Sequence, residues 1–458
     1  MLRLSDFFHR QVTVLGAGIS NLPLIDFLAR HGAYVTVRDQ KPPEAFAALT
    51  ARWDAAGIRY FLGKSYLSDL RADYLFRSPG LRPDRPEILR AQAQGAVLTS
   101  EMELFFDLCP CPIFGVTGSD GKTTTTTLLT RLLTAAGKRV YLGGNIGAPL
   151  LPQVGQMTPT DLAVVELSSF QLMTMRRSPQ IAVVTNLSEN HLDYHRTFAE
   201  YALAKRNILS HTPCQTAVLN ADDARVMQMA QAVPRGARVK TFSLQDTSAD
   251  VYLIGDKMYD HGNEILDFSK EFHLPGVHNR QNCMAAYCAC AELVTPQNVR
   301  RAVCDFTGVE HRLEVVATVD GVRYINSSID STPTRTAAAL TALSDASGKL
   351  VVLLGGYDKQ LSFAPLCKPL AENAAAVILF GATEERIAQT LASDAAFCTK
   401  QIPVYRCQNL VAAMEKARAV AQSGQTVLLS PACASFDAFA NFEARGRKFK
   451  ETVQAWKS

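Results

Sequence analysis

The stretch Ile113-Phe-Gly-Val-Thr-Gly-Ser-Asp-Gly-Lys-Thr-Thr124 decides how this chain is read. Its apolar run, Ile113 to Val116, predicts a strand. Thr117-Gly118-Ser119-Asp120-Gly121-Lys122-Thr123-Thr124 follows as a glycine-rich turn, and an amphipathic helix pattern comes next. A strand that ends in such a turn and reopens as a helix makes a phosphate cradle. Backbone N–H groups of the turn and the first helical turn point at an anion, and the Lys122 ammonium adds positive charge. The Thr123 hydroxyl stands where a phosphate-bound Mg²⁺ needs a ligand. The usual phosphate-loop spacing has glycine at position 116, which is Val116 here, so the turn is expected at Gly118. The ligand implied is ATP; the alternative is a helix N-terminus that binds nothing.

The 458 residues suggest about three domains at roughly 150 residues each. A hydrophobic content of 47% with 20% charged residues is that of a soluble globular protein with apolar mass for several cores. The net charge of +4, spread over the whole chain, is too weak to argue for nucleic acid. No leader-like apolar segment opens Met1–Arg10, and no run approaches the roughly eighteen apolar residues of a membrane span. The eleven cysteines show neither CxxC pairs nor Cys/His metal spacing. Cys109 and Cys111, flanking a proline, and Cys288 and Cys290, in an Ala-rich helix pattern, are expected as buried small hydrophobes. A reduced, cytoplasmic protein is expected.

Upstream, Gln11 to Gly16 predicts a short buried strand, followed by Ala17-Gly18-Ile19-Ser20-Asn21 and a helix toward Arg30. A second strand, from Tyr34, ends in Asp39. This βαβ unit is Rossmann-like, but Asn21 replaces the third glycine of GxGxxG. A dinucleotide fits it weakly; a nucleoside diphosphate at the same helix N-terminus, with Asp39 near its sugar or base, fits as well.

Downstream, Leu162 to Gln171 contains a buried strand delivering Glu166 near its C-terminal end, the edge where ligands sit in open α/β sheets. A carboxylate there is costly unless paired or metal-bound. Metal or phosphate chemistry and a structural ion pair are both open for it. After the strand Ile181–Asn186, His191 can face the phosphates, whereas His195 can equally be a solvated helix residue. Lys205 sits on a helix amid apolar neighbours, where a lone lysine usually snorkels. Asn279 and Asn282 lie one turn apart, suited to the edge of a base or simply to helix capping. A hairpin-rich stretch is expected before Leu274. After Glu314 the strands at Leu350, Ala376 and Thr426 restart a Rossmann-like pattern, with Gly355–Lys359 and Ser430–Asp437 as its functional loops.

Taken together, T-G-S-D-G-K-T-T, G-G-N-I-G, E-L-S-S-F-Q, N-H-L-D-Y-H, H-N-R-Q-N, H-R-L-E and S-P-A-C-A-S-F-D resemble the motifs of the Mur ligase family, from residue 16 to about 450. The resemblance implies three α/β domains: a Rossmann-like UDP-substrate domain (1–103), a central parallel-sheet ATP domain (104–309) and a Rossmann-like amino-acid domain (310–458). The short first domain and the S-P-A-C-A-S-F-D-A-F-A-N-F-E-x-R-G run point to the branch that adds D-glutamate to UDP-N-acetylmuramoyl-L-alanine in peptidoglycan precursor synthesis. The Asp-Asn-Pro-Arg motif of sister ligases is missing.

For single residues the resemblance implies further roles. Lys122, Glu166, His191 and Lys205 would be catalytic. Lys205 would carry a carbamate, and Thr123, Glu166, His191 and Lys205 would serve two Mg²⁺. Gly118 through Thr124, with Asn279, Asn282 and Arg312, would hold ATP. Ile19, Ser20, Asn21, Asp39, Gln40, Ser78, Asn145 and His191 would contact the UDP substrate, and Lys359, Ser435 and Phe442 would hold D-glutamate. A monomer without nucleic-acid or membrane partners is expected. Where many relatives have Asn-Asp-Ser-Lys, this chain has Asn326-Ser327-Ser328-Ile329, with Asp330 or Arg335 as candidate substitutes. The implied reaction activates a carboxylate as an acyl phosphate, which the amine of D-glutamate captures. Competing readings are another Mur-type or folylpolyglutamate-synthase-like ligase, a nicotinamide oxidoreductase and a nucleotide switch.

Overall fold

The computed structural model describes residues 2–18, 20–274, 276–343, 349–358 and 361–457. Ile19 and Lys359, both expected at binding sites, lie outside the described residues. The chain forms two compact units, Met1–Phe306 and Thr307–Ser458.

The first unit contains two sheets. One is built from β1 (Gln11–Leu15), β2 (Tyr34–Asp39), β3 (Arg59–Leu62), β4 (Tyr74–Arg77) and β5 (Val97–Thr99), in the order β3-β2-β1-β4-β5 and parallel throughout. The other comprises β6 (Ile113–Thr117), β7 (Val140–Gly144), β8 (Leu162–Glu166), β9 (Ile181–Val184), β10 (Thr216–Asn220), β11 (Arg238–Ser243), β12 (Val251–Ile254), β13 (Lys257–Asp260) and β14 (Asn263–Asp267). Its order is β14-β13-β12-β11-β10-β9-β6-β8-β7. It is parallel from β7 to β12, and the expected hairpins are the antiparallel β12–β14.

The apolar runs explain this layout. β6 and β8 are buried at every position, as strands covered by helices on both faces must be. The Lys122–Ala135 helix turns Leu128, Leu129, Leu132 and Leu133 inward. It packs against the Val277–Cys290 helix, whose buried Cys283, Ala285 and Ala286 are small enough for close approach. Cys288 and Cys290 are buried as expected.

The second unit holds β15 (Glu314–Val319), β16 (Val322–Asn326), β17 (Leu350–Gly355), β18 (Ala374–Phe380), β19 (Val404–Cys407) and β20 (Thr426–Leu429), ordered β15-β16-β20-β17-β18-β19. Only the β15–β16 pair is antiparallel. The three α/β layers expected from the sequence are therefore present.

In each sheet the strand that carries a motif loop lies between two strands that both come later in the chain: β1 between β2 and β4, β6 between β8 and β9, and β17 between β18 and β20. At such a point the loops leaving the strands diverge and open a crevice. The three motif-bearing loops, Gly16–Asn21, Gly118–Lys122 and the one after Gly355, follow these three strands.

Two arginines tie the first sheet to the central layer. Arg77, 1% exposed at the end of β4, donates to the Phe170 carbonyl at 2.8 Å and to Thr174 Oγ1 at 3.1 Å. Arg82 pairs with Asp84 at 2.8 Å and with Glu200 at 2.7 Å, and it also donates to the Tyr194 carbonyl.

In the second unit a third arginine, Arg445, is fully buried on the Phe442–Ala455 helix. It donates to Ser328 Oγ (3.0 Å) and to the carbonyls of Ser328 (2.9 Å), Cys433 (3.0 Å) and Ala434 (3.0 Å). The loops after β16 and β20 are thereby stapled to each other, and burial lowers the guanidinium pKa to about 10. Arg445→Met would leave three carbonyls without these donors. The expected loss is about 3 kcal/mol of unfolding free energy, read as a lower urea midpoint for the C-terminal unit. Arg445→Lys should recover little of it, because an ammonium cannot reproduce the planar fork.

Candidate active site

β6 delivers the chain into the phosphate loop, and the end of β9 shapes that loop. Gly118 has φ +154°, and a Cβ there would stand 1.9 Å from Thr185 Oγ1. Gly121, at φ +77°, would collide with Asn282 Oδ1 at 2.2 Å. Both positions therefore require glycine. Thr185 Oγ1 donates to the Asp120 carbonyl at 2.6 Å, and Asn186 Oδ1 accepts from the Asp120 amide at 2.8 Å. Ser119 Oγ donates to the Ser188 carbonyl at 2.9 Å and lies 2.9 Å from the Tyr201 hydroxyl. Lys122 Nζ curls back onto the carbonyls of Gly118 (2.9 Å) and Ser119 (2.8 Å).

Glu166 ends β8 and is 1% exposed. Its carboxylate accepts from Thr123 Oγ1 at 2.7 Å and from Asn145 Nδ2 at 2.8 Å. These donors are a hydroxyl and an amide rather than an ammonium, which disfavours the structural ion pair. Asn145, expected to contact the UDP substrate, directs its amide nitrogen at Glu166. Hard oxygen donors in this number suit Mg²⁺, which takes one or two protein ligands and fills the rest of its shell with phosphate oxygens and water. Among the described residues no group of three or more His, Cys, Asp or Glu could hold a metal.

Lys205 does not snorkel. Its helix, Phe198–Arg206, brings it in at 1% exposure, with Nζ 2.6 Å from the Gly118 carbonyl, 3.3 Å from Thr117 Oγ1 and 4.8 Å from the centre of the Tyr201 ring. Burial first, and then the Lys122 charge, hold its pKa well below the ordinary lysine range; Glu166 and Asp120 oppose the shift.

His191 is exposed, in a left-handed conformation (φ +54°), and its ring stands 4.9 Å from that of Phe170. His195, open to a solvated reading in the sequence, is fully buried. Its Nε2 lies 2.9 Å from Ser169 Oγ and its ring stacks on Phe170 at 5.4 Å.

Asn279 and Asn282 share one face of the Val277–Cys290 helix, and Asn282 Nδ2 donates to Asn279 Oδ1 at 3.2 Å. The helix is capped by Gly276, so neither asparagine is the N-cap. Asn282 lines a cleft with Asp120, Gly121, Asn186 and His278 beside the phosphate loop. Ser119, Thr123 and Thr124 are buried along the loop.

At the first sheet, Asp39 accepts from the amides of Ala17 and Lys41, both at 2.8 Å, and Asn21 Nδ2 donates to the Gly16 carbonyl at 2.8 Å. These two side chains shape the loop itself. Gln40 is exposed, and Ser78 packs where a Cβ on Gly16 would lie, its Oγ 2.8 Å from that position.

In the second unit, Arg312 follows the buried His311, whose Nδ1 is 2.9 Å from Asn326 Nδ2. Ser327 Oγ accepts from the Leu313 amide at 3.1 Å. Asp330 is buried against Ser430 Oγ at 2.9 Å, and burial raises its pKa. Arg335 reaches the Ile329 carbonyl at 3.4 Å. Ser435 is 2% exposed, and the Phe442 carbonyl accepts from Ser328 Oγ at 2.8 Å.

Sequence reasoning missed Tyr201, Thr185, Arg77, Arg82 and Arg445. A signal existed for Thr185, which with Asn186 is a polar pair closing an apolar strand.

Comparisons with known proteins match three family models in succession: the Mur ligase MurD-like N-terminal domain over residues 10–100, the Mur ligase middle domain over 116–290, and the Mur ligase glutamate ligase domain over 311–433. A UDP-N-acetylmuramoylalanine--D-glutamate ligase from Clostridium novyi (strain NT) is 42% identical over 98% of this chain and 97% of its own. One of the same name from Acetivibrio thermocellus is 42% identical over 99% of each chain. Among solved structures, UDP-N-acetylmuramate-alanine ligase MurC from Thermotoga maritima superposes with TM-score 0.59 at 20% identity, over 98% of this chain and 100% of that one. A Mycobacterium tuberculosis folylpolyglutamate synthase superposes with TM-score 0.55 at 17% identity, over 76% of this chain and 93% of its own.

Burial depresses the His195 pKa from the ordinary 6.5 to about 4. Between these values the unfolded chain binds a proton that the folded chain refuses, so stability rises with pH across the window and is lost as pH falls through it. Urea titrations from pH 7 to pH 4 should show this acid-side loss. His195→Gln, which cannot titrate, should reduce it.

Proposed function

This chain belongs to the Mur ligase family, and from that premise we propose that it joins D-glutamate to UDP-N-acetylmuramoyl-L-alanine, converting ATP to ADP and phosphate. The carrying observation is the 42% identity to ligases of that name over nearly the whole chain. The contact between Thr123 and Glu166 beside a glycine-rich phosphate loop supports it.

In this reading the Gly118–Thr124 loop holds the ATP phosphates through its amides and Lys122. Asn279, Asn282 and Arg312 hold the base and sugar. Thr123 and Glu166 would hold Mg²⁺, which supplies Lewis-acid neutralisation of phosphoryl charge when bound. The acceptor carboxylate attacks the γ-phosphorus, ADP leaves and an acyl phosphate results. The D-glutamate nitrogen then attacks the acyl carbon, loses a proton and expels phosphate. His191 is one candidate for that proton and a carbamate on Lys205 is the other.

We assign the carbamate to Lys205 because its depressed pKa favours the neutral amine. That nitrogen adds to CO₂, a C–N bond forms and an N–H proton is released. With His191, the new oxygens would serve a second Mg²⁺. The UDP substrate would lie along Ile19, Ser20, Asn21, Asp39, Gln40, Ser78, Asn145 and His191. Lys359, Ser435 and Phe442 would clamp D-glutamate. The proposed domain limits are 1–103, 104–309 and 310–458. We further propose a cytoplasmic monomer; no described helix is long and apolar enough to cross a membrane.

Phosphate release tests the reading. It should require UDP-N-acetylmuramoyl-L-alanine, ATP and D-glutamate together, with L-glutamate and the shorter D-aspartate poor substitutes. Release without D-glutamate, or equal use of L-glutamate, would overturn it. Lys122→Ala should lower kcat by about 10²–10³-fold or more, as expected when a contact to transition-state charge is lost. Depletion of bicarbonate and CO₂ should lower activity reversibly, and Lys205→Ala should abolish that dependence along with most turnover.

A further inference from the structure

Cys109 Sγ stands next to two other sulfur atoms where the Glu101–Leu108 helix gives way to β6. Cys109 and Cys111 flank Pro110, with their Sγ atoms 3.5 Å apart. Met157 Sδ lies 4.0 Å from Cys109 Sγ. Cys111 and Met157 are 2% and 7% exposed, Cys109 is half-buried and Pro110 is exposed, so the cluster is closed on the protein side and meets solvent over the proline.

Each donor is held by backbone bonds. The Cys109 amide closes the Glu101–Leu108 helix onto the Phe105 carbonyl at 2.8 Å, and the Met157 amide bonds the Val154 carbonyl at 3.3 Å. Pro112, next to Cys111, accepts from the Ala163 amide at 3.0 Å at the start of β8. The cluster therefore sits at the N-terminal end of β6, about five residues or roughly 16 Å from the phosphate loop at the other end.

The spacing discriminates between two chemistries. A disulfide needs sulfurs about 2.05 Å apart, a closure of about 1.5 Å within a tripeptide stiffened by proline. A cation bound by three sulfurs at about 2.3 Å in a trigonal plane needs them about 4.0 Å apart. The Cys109–Met157 pair already has that separation, and the Cys109–Cys111 pair must open by about half an ångström. Two thiolates and a thioether are soft donors, which favour copper(I) over the harder ions served by carboxylate and imidazole.

We propose that Cys109, Cys111 and Met157 form a binding site for a soft monovalent d¹⁰ cation of the copper(I) class, separate from the ligase centre. Binding displaces the two thiol protons and leaves a complex of net charge −1. It links the approach to β6 with the segment ahead of β8, two neighbours in the central sheet.

The test uses the full-length protein, reduced by a phosphine and kept anaerobic, titrated with copper(I) against the chromophoric chelator bicinchoninate. One equivalent should leave the chelator, and X-ray absorption at the copper edge should show three sulfur neighbours at about 2.3 Å. Cys109→Ala, at a half-buried position, should abolish uptake. Met157→Leu keeps the apolar volume and should weaken it by about tenfold or more, since even residues supporting a metal's ligands have effects of that size. Cys304→Ser, at an exposed cysteine elsewhere, should change nothing. Copper left on the chelator, uptake undiminished in Cys109→Ala, or a two-coordinate spectrum unaltered by Met157→Leu would overturn the proposal. So would oxidised glutathione producing a Cys109–Cys111 disulfide in a protein that takes up no copper when reduced.

Discussion

Two lysines converge on one carbonyl. Lys122 Nζ and Lys205 Nζ both donate to the Gly118 oxygen, at 2.9 and 2.6 Å, and Lys205 does so almost wholly out of water. Two ammonium groups so close repel each other, and burial adds a desolvation cost to whichever lies deeper. Neutralising Lys205 relieves both, which is why its pKa falls. The groups around the loop serve this arrangement: Thr185 and Asn186 fix the Asp120 peptide, Tyr201 packs over the Lys205 amine, and Gly118 has no side chain to strike Thr185. The same geometry turns loop carbonyls toward the cations and leaves loop amides for anions.

The topology explains why the motif loops are where they are. A parallel strand flanked on both sides by later strands stands where the connections diverge, so side chains from several loops meet over one edge. At β6 this brings Glu166, from the end of β8, and Thr185, just past β9, to the same phosphate loop. At β1 it sets Ser78, beyond β4, against Gly16. The ligands differ from sheet to sheet, but the principle that gathers their contacts is one.

What was legible in the sequence follows from the range of the interactions involved. The strands at Ile113, Leu162 and Ile181 are continuous apolar runs, and the glycines at 118 and 121 announce a local backbone requirement, so fold class and phosphate loop could be read directly. Glu166 was legible as a costly carboxylate ending an apolar strand. The burial of Lys205 and His195 was not, because each is decided by helices and loops distant in the chain, and an isolated lysine or histidine carries no mark of its surroundings. The bond from Asn145 to Glu166 was not legible, because the two are 21 residues apart and the pairing needs the β7–β8 register. Arg77 and Arg445 were invisible because their partners are mostly backbone carbonyls, which every residue has, and Arg82 because its partner Glu200 is 118 residues away. The antiparallel β15 edge was missed because its half-exposed pattern resembles a loop.

The two arginines that leave the first sheet bear on how separable the domains are. Arg82 pairs with Glu200, on the very helix that carries Lys205, and Arg77 holds the Phe170 carbonyl, whose ring stacks on His195. A first domain exchanged for that of another ligase would therefore bring new side chains to the flank of the buried lysine. Its fit would depend on whether it also supplied guanidinium groups at these two places. Family-wide modularity of the three layers thus stops short of interchangeability: grafts at this junction should succeed or fail as matched sets of two arginines and the carbonyls and carboxylate they grip, whatever the similarity of the sheets themselves.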